Sequence, residues 1–112
     1  MKRIDSIIRP HSLDAVKERL LSAGVEGMTI TEVRGFGRQR GHTEVYRGTE
    51  YAVDFVPKVM VTILVSDERV AEIVTAITEA ARTGKLGDGK IFVTPIEDVV
   101  RIRTGDRGDA AI

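Results

Sequence analysis

The sequence contains no cysteine, and this absence excludes several classes of site. The chain can form no disulfide framework, no thiol nucleophile and no cysteine-ligated metal centre. It also lacks an apolar run approaching the roughly 18 residues of a membrane span, and its first residues do not have the apolar core of a secretory signal. We therefore expect a soluble, cytoplasmic protein.

Aromatic residues and surplus charge are also scarce. Aromatic residues make up 4% of the chain, and 17 Lys and Arg residues balance 17 Asp and Glu residues. Proteins that bind nucleic acid usually carry a basic surplus and, for RNA, aromatic side chains on which bases stack. A ferredoxin-like RNA-binding module would need an aromatic strand motif, and residues 90–93 offer only Phe92. We therefore expect no nucleic-acid partner.

Apolar periodicity divides the 112 residues into strands and two helices. Apolar side chains recur at helical spacing after Ser12 and again after Ser66, so these serines are the predicted N-caps. Gly24 and Gly84 are the predicted ends of the two helices. Runs rich in β-branched residues predict strands over 2–9, 28–34, 58–65, 90–96 and 99–103.

The order of the main elements is β-α-β followed by a second β-α-β. This order is typical of an α+β, ferredoxin-like βαββαβ sandwich, in which two helices cover one face of an antiparallel sheet. The other face would then expose Ile, Val and Met side chains to water. Because burial of apolar surface is favourable by about 25 cal/mol per Å², we expect copies of the chain to associate.

The segment between the second and third strands, residues 35–58, shows no sustained helix or strand period. Three glycines (Gly35, Gly37 and Gly41) fall within its first seven residues, and charged residues are scattered through the rest. A loop of about 20 residues inside a compact domain is commonly a functional loop. A flexible hairpin loop without function is the alternative at this point.

A glycine-rich segment, TGKLGDGK at 83–90, joins the second helix to the next strand. Gly84, Gly89 and Lys90 have the spacing of a Walker A loop, but Ile91 replaces the Mg-binding hydroxyl residue of that motif. The order is also inverted, since a Walker A loop leaves a strand and opens a helix. Glycines still let backbone N–H groups approach an anion closely, so the segment predicts an anion site.

Two arginines, Arg101 and Arg103, lie two residues apart on the last predicted strand, so both guanidinium groups should project from one face. With Lys90 and Arg38 they are predicted to form a polyphosphate clamp, because arginine forks match phosphate geometry. A solvated edge strand would explain the pair equally well.

The sequence shows no catalytic constellation. His11 and His42 are isolated, and no nucleophile elbow or metal-ligand spacing is present. The pattern indicates a binding protein. The alternative is a weak ATPase or phosphotransferase that uses the glycine-rich 84–90 loop, in which Asp88 is the carboxylate.

Long stretches of the chain resemble the PII signal-transduction proteins, and the resemblance covers nearly its whole length. The segments that carry it are GMTITEVRGFGRQRGHTEVYRGTEY at 27–51, ARTGKLGDGKIFV at 81–93 and VRIRTG at 100–105. The resemblance implies a homotrimer of ferredoxin-like subunits, each a single PII domain over residues 1–112. It also implies three named loops: a T-loop at about 36–57, a B-loop at 82–90 and a C-loop at about 102–112.

The function implied by the resemblance is signalling of nitrogen, carbon and energy status, without enzymatic activity. ATP and ADP would compete for sites in the clefts between subunits, and 2-oxoglutarate would bind with Mg-ATP at the base of the T-loop. The T-loop would dock onto an ammonium channel or onto enzymes and regulators of nitrogen metabolism. A membrane would be reached only through a channel partner.

The site residues are likewise implied by the resemblance. Phosphates would contact Arg38, Gly87, Gly89, Lys90, Arg101 and Arg103; adenine and ribose would contact Ile7, Met28, Thr29, Gly35, Gly37 and Leu64; and Thr62 and Asp88 complete the nucleotide positions. Gln39 and Lys58 would hold Mg²⁺ and 2-oxoglutarate, with Gln39 as the metal ligand.

Three further positions bear on regulation. Tyr51 stands where many bacterial members accept a uridylyl or adenylyl group. Thr49 takes the place of the serine that is phosphorylated in cyanobacterial members, and it is the less favoured modification site. Thr62 replaces a glutamate that is frequent in the family, which leaves the nucleotide preference and any slow ATP turnover open.

Overall fold

The computed structural model describes residues 1–37, 43–46, 49–52 and 55–112, and for 43–46 and 49–52 the description concerns the backbone. The strands are β1 (Lys2–Ile8), β2 (Thr29–Gly35), β3 (Thr43–Tyr46), β4 (Thr49–Ala52), β5 (Val56–Val65) and β6 (Lys90–Pro95), and the helices are α1 (Leu13–Ser22) and α2 (Val70–Ala81). Across these described ranges, no helix is long and apolar enough to cross a membrane.

Four of the strands form one antiparallel sheet in the order β2-β5-β1-β6. Helix α1 connects β1 to β2, and α2 connects β5 to β6, so each helix joins two strands that are not neighbours in the sheet. The two helices pack against each other. This is the α+β, ferredoxin-like arrangement, and the predicted fold class is confirmed.

The core lies between the helices and one face of the sheet. Alternate residues of β1 and β5 point into it, as the period of two in a strand requires. The buried apolar side chains of these four elements are Ile4, Ile8, Val16, Leu20, Val59, Val61, Ile63, Val65, Ile73, Ala76, Ile77 and Ala81. Full burial of such a large aliphatic side chain contributes about 1.5–3 kcal/mol. The helical faces predicted from the apolar spacing are buried except at Leu21, which the spacing placed on the buried face of α1 and which is 47% exposed.

The ends of the helices agree with the sequence at Gly24 only. Gly84 does not end the second helix, because α2 already ends at Ala81 and Arg82 is extended. Gly24 ends α1 in the left-handed region, with φ +84°, and the Val25 N–H donates to the Leu20 carbonyl at 3.0 Å. That pattern is a Schellman motif, which favours glycine. Ser12 stands at the N-cap position of α1, and Ser66 at that of the 3₁₀ turn before α2, but neither side chain makes the capping hydrogen bond that the prediction implied. A short 3₁₀ turn precedes each helix and supplies backbone bonds there instead.

The sheet face that turns away from the helices carries both apolar and polar side chains. Ile7 and Met60 pair across β1 and β5 on this face, as expected for an apolar surface. Beside them, however, the buried Asp5 carboxylate accepts hydrogen bonds from Arg3 Nε at 2.9 Å and from the Thr62 hydroxyl at 2.6 Å. The uncovered face is therefore more polar than the sequence suggested.

The T-loop region contains two short strands that the sequence did not predict. β3 and β4 pair antiparallel as a separate two-stranded sheet. Each strand has four residues, which is too short for a strand period to emerge from the sequence. At the base of the loop Gly35 pairs with Val56, two residues before the predicted strand start. Residues 38–42, 47–48 and 53–54 lie outside the described part of the chain.

The strand predicted at 99–103 was wrong. Val100 makes an isolated bridge with Arg107, and the chain turns between them, with the Arg101 N–H donating to the Asp106 carbonyl at 2.9 Å. Val100 and Ile102, the apolar residues that alternate with the two arginines, are 46% and 98% exposed, so neither side chain packs into the core. A period of two without a surface to bury it does not specify a strand.

One buried hydroxyl is out of place in the core. Ser6 is fully buried on the helix-facing side of β1, and its Oγ has no hydrogen-bond partner among the described residues. An unsatisfied buried hydroxyl costs about 1–3 kcal/mol.

We expect Ser6→Ala to raise the free energy of unfolding by about 1 kcal/mol, measured by urea denaturation. Exposed Ser22→Ala is the control and should change it by less than about 0.5 kcal/mol; a less stable Ser6→Ala would contradict the prediction.

The start of β6 requires glycine for a steric reason. Gly89 has φ +104°, and a Cβ built on it would lie 1.7 Å from the backbone oxygen of Ile7. Gly84 is the matched control, because it has φ +87° but an added Cβ there would meet no heavy atom within 4 Å. Gly84→Ala should cost about 1–2 kcal/mol of stability from backbone strain. Gly89→Ala should cost roughly 1–3 kcal/mol more from the clash.

Urea denaturation of the two glycine variants measures that difference directly. Equal losses of stability in the two variants would contradict the prediction. They would show that the backbone at the β1–β6 contact can shift to admit the added Cβ without lowering the free energy of unfolding.

Candidate functional site

The predicted nucleotide-binding residues that the structure describes fall at the two opposite ends of the sheet. At the B-loop end, β1 finishes while β5 and β6 begin, so Ile8, Val56 and Lys90 lie there. At the C-loop end, β1 begins while β5 and β6 finish. The antiparallel pairing of β1 with both neighbours fixes this division.

The B-loop end gathers one group of predicted residues. Lys90 pairs with Ile7 across β6 and β1, and Lys58 pairs with Val33 two residues before Gly35. The B-loop joins α2 to β6 at this end, and with it come Gly87, Asp88 and Gly89. The predicted helix-to-strand context of the loop is confirmed, since α2 ends at Ala81 and β6 begins at Lys90.

Lys58 is the buried cation of this end. It is 9% exposed, and its Nζ donates a hydrogen bond to the Gly87 carbonyl at 2.6 Å. Burial lowers the pKa of Lys58, the neighbouring Arg9 lowers it further, and Asp88 opposes both effects. An anion that reached this ammonium would relieve the unfavourable charge, so the position favours carboxylate or phosphate ligands.

Asp88 is directed into its own loop. Its carboxylate accepts the backbone N–H groups of Thr83 and Gly84, each at 2.8 Å, and Arg9 Nε lies 3.4 Å from Oδ1. These bonds, the Thr83 hydroxyl first, hold the pKa of Asp88 well below its ordinary value of 3.8. A carboxylate so stabilised is a weak base.

The C-loop end gathers a second group around an open groove of about 1100 Å³. Met28, Thr29, Thr62 and Leu64 line it, and Thr29 pairs directly with Thr62 across β2 and β5. The Thr62 hydroxyl donates to Asp5, so its oxygen remains an acceptor toward the groove.

Arg101 also lies at the C-loop end. The chain leaves β6 there, where the Ile96 N–H donates to the Met1 carbonyl at 3.1 Å. The Arg101 guanidinium donates to the Ile112 carbonyl at 3.2 Å and lies 3.5 Å from an Asp106 carboxylate oxygen. Arg103 is exposed. Because the strand at 99–103 does not form, the two guanidinium groups do not share a strand face.

One copy of the chain does not assemble the predicted polyphosphate clamp. Lys58 and Leu64 lie six residues apart on β5, which corresponds to about 20 Å along a strand. Lys90 lies at the Lys58 end of the sheet and Arg101 at the Leu64 end, so a comparable distance separates them. The residues predicted to bind one nucleotide therefore form two separate groups in a single chain, one at the B-loop end and one at the C-loop end. We call each group a half-site.

Several predicted residues cannot be located in either half-site. Arg38 and Gln39 lie outside the described residues, and with them the predicted magnesium ligand. Thr49 and Tyr51 are on β4, whose side chains are also outside the description. Gly37 is exposed at the base of the T-loop, with open space around it. Among the described residues, no group of three or more His, Asp and Glu side chains forms a metal site.

Sequence reasoning missed two functional neighbours, Arg9 and Thr83. Arg9 donates to the Leu86 carbonyl and to Asp88, and Thr83 donates to Asp88 from its hydroxyl and its backbone. The sequence offered one indication of a role for Arg9: it is a cation at the end of a predicted strand, directly before Pro10. Its role depends on a loop that lies 77 residues further along the chain.

Comparison with known proteins identifies the family. Residues 1–106 match the family model described as Nitrogen regulatory protein P-II. The chain is 58% identical to the Nitrogen regulatory protein P-II of Azospirillum brasilense, 60% identical to that of Pasteurella multocida and 59% identical to Nitrogen regulatory protein P-II 1 of Escherichia coli (strain K12). In each comparison 100% of both chains is covered. The chain therefore belongs to the nitrogen regulatory protein P-II family.

Proposed function

We propose that this chain is a trimeric signalling protein for nitrogen, carbon and energy status. It binds ATP or ADP competitively, binds 2-oxoglutarate together with Mg-ATP, and regulates nitrogen-metabolism targets through its T-loop. Membership of the P-II family establishes the coarser statement, a nitrogen regulatory protein. The single observation that supports the nucleotide function is the division of the expected binding residues into two half-sites.

The two half-sites together offer the chemistry that a nucleotide needs. The B-loop end combines glycines with Lys58 and Lys90, and backbone N–H groups together with cations favour phosphate. The C-loop end offers a groove with Met28 and Leu64 as apolar walls and threonine oxygens as polar contacts, which suits a base and a sugar. Arg101 and Arg103 add positive charge beside that groove.

A second copy supplies the missing half. When the B-loop end of one copy faces the C-loop end of its neighbour, Lys90 and Arg101 belong to one cleft. Repetition of this head-to-tail contact closes a ring, and a ring of three has three equivalent clefts. The uncovered sheet face, with Ile7 and Met60, supports the association because it has apolar surface to bury.

Lys58 supports the 2-oxoglutarate function. A dicarboxylate and a triphosphate repel each other; Gln39 would help to hold Mg²⁺, whose positive charge would offset that repulsion. Lys58 then pairs with the distal carboxylate. Its ammonium has three donors, so it can hold the Gly87 carbonyl and a carboxylate together.

The T-loop is the proposed contact with other proteins, an ammonium channel or enzymes and regulators of nitrogen metabolism. Its β3–β4 hairpin presents Tyr51 and Thr49 on one strand. Modification of Tyr51, or less favourably of Thr49, would change the charge of that strand and with it the choice of partner.

The geometry of Asp88 supports binding over the alternative of ATP hydrolysis. The carboxylate is held by Thr83, Gly84 and Arg9, and its pKa is lowered. A general base needs a pKa near the working pH and a free path to the reacting proton. The lowered pKa of Asp88 and the hydrogen bonds that its carboxylate already accepts make it a poor general base.

The half-site arrangement predicts complementation between two defective variants. Lys90→Ala and Arg101→Ala should each weaken ADP binding by roughly 10- to 150-fold, because each removes a charge-assisted contact. If the two variants are unfolded and refolded together, about one quarter of the clefts in a random mixture regain both residues. Calorimetry should then find that fraction of sites with wild-type affinity.

The control for this experiment is each variant refolded alone. Mixed oligomers that show no recovery of high-affinity sites would contradict a cleft between copies. Unchanged ADP affinity in both single variants would remove the two residues from the site.

The coupled binding of 2-oxoglutarate gives a second prediction. We expect 2-oxoglutarate to bind protein saturated with Mg-ATP much more tightly than protein saturated with ADP, because only the former offers the metal and the γ-phosphate. By linkage, 2-oxoglutarate tightens ATP by the same factor. Lys58→Ala should lose the response to 2-oxoglutarate and keep ADP binding. Calorimetric titrations that gave equal affinity in the two nucleotide states would refute the mechanism.

A further inference from the structure

Two cations, one directly after β1 and one in β5, hold the B-loop against the sheet. Arg9, directly after β1, donates from its guanidinium to the Leu86 carbonyl, and its Nε lies 3.4 Å from Asp88 Oδ1. Lys58 in β5 donates to the Gly87 carbonyl at 2.6 Å. Three consecutive loop residues are thus each bound by a side chain of the sheet.

Asp88 also closes the loop on itself. Its Oδ2 accepts the N–H groups of Thr83 and Gly84, and its Oδ1 accepts the Thr83 hydroxyl. The side chains of Arg9 and Asp88 are 15% and 22% exposed, so water screens their interaction only in part. The carboxylate therefore joins the start of the loop, the end of the loop and the end of β1.

These contacts fix the direction of the loop's peptide groups. In a planar trans peptide, the C=O of one residue and the N–H of the next point in opposite directions. Because the Leu86 and Gly87 carbonyls point toward Arg9 and Lys58, the N–H groups of Gly87 and Asp88 point away from those cations. Neither N–H donates to another described residue. Gly87 has φ +97°, and successive N–H groups around a residue in this left-handed conformation can form an anion-binding concavity.

We propose that Arg9 and Asp88 are positioning residues for this phosphate loop: they hold the Leu86–Asp88 backbone so that successive N–H groups already face the phosphates. The inference rests on the proposed function and assigns a role to Arg9 beyond it. The physical reason is entropic, since a backbone residue that is ordered before binding does not have to be ordered on binding. Neither side chain needs to touch the nucleotide.

The order of the loop can be tested without any ligand. Amide hydrogen exchange reports whether the Thr83 and Gly84 N–H groups are held by Asp88. The variants are Arg9→Gln and Asp88→Asn, the second of which keeps the side-chain shape but presents an amide where two acceptor lone pairs are needed. Arg19→Gln is the control, because it removes an exposed cation that pairs with Glu79 between the helices.

We expect faster exchange in the B-loop of both test variants and unchanged exchange in the control. ADP, in the absence of 2-oxoglutarate, should bind each test variant roughly 10-fold more weakly. The Arg9→Gln/Asp88→Asn double variant should lose little more affinity than either single variant, because both changes release the same loop.

The outcomes separate this inference from the proposed function. Unchanged exchange in both variants, unchanged ADP affinity despite faster exchange, or fully additive losses of affinity would overturn the positioning role. Additive losses would indicate that Arg9 contacts the ligand directly. Wild-type protein that binds no nucleotide would overturn the proposed function, and the inference with it.

Discussion

The register of β1 against its two neighbours is the constraint on which the rest of the structure depends. β1 lies inside the sheet and runs antiparallel to both β5 and β6. The beginnings of β5 and β6 must therefore lie together at the end of β1, and their ends must lie together at its beginning. This brings the B-loop beside the base of the T-loop and sends the C-loop to the opposite end. Gly89 permits the approach, since any Cβ there would collide with the Ile7 backbone.

Charged side chains at the B-loop end both order the loop and favour an anion. At the B-loop end, Arg9 and Lys58 converge on loop carbonyls, and Asp88 is the one carboxylate that faces both in the described part of the chain. Burial makes the two cations unfavourable in isolation, and hydrogen bonds to the loop compensate. The loop is thus ordered by groups that also favour an anion. The same two cations, Arg9 and Lys58, therefore both order the B-loop and favour the binding of phosphate near it.

Local patterns in the sequence were reliable where burial enforces them. The apolar spacing that predicted α1 and α2 is realised because Leu20, Ile73 and Ile77 become fully buried against the sheet. The same reasoning failed at residues 99–103, where the alternation had no surface to bury, and at β3 and β4, where backbone pairing occurs among polar residues. It also failed for the side-chain capping bond of Ser12, because a 3₁₀ turn at Pro10 starts the helix by backbone bonds. An apolar pattern in the sequence is therefore a weak predictor of secondary structure where its side chains are not buried.

The sequence by itself determined the fold class, the family and the types of residue available for an anion site, because those depend on local periodicity and on long matching segments. Only the tertiary structure decided that Lys90 and Arg101 lie at opposite ends of one sheet. Likewise, only the structure showed that Arg9 reaches Leu86 across 77 residues of sequence. Both results depend on strand register, which pairs residues far apart in the chain. The local sequence around these residues does not encode the distances between them, since strand register is set by the packing of the whole sheet.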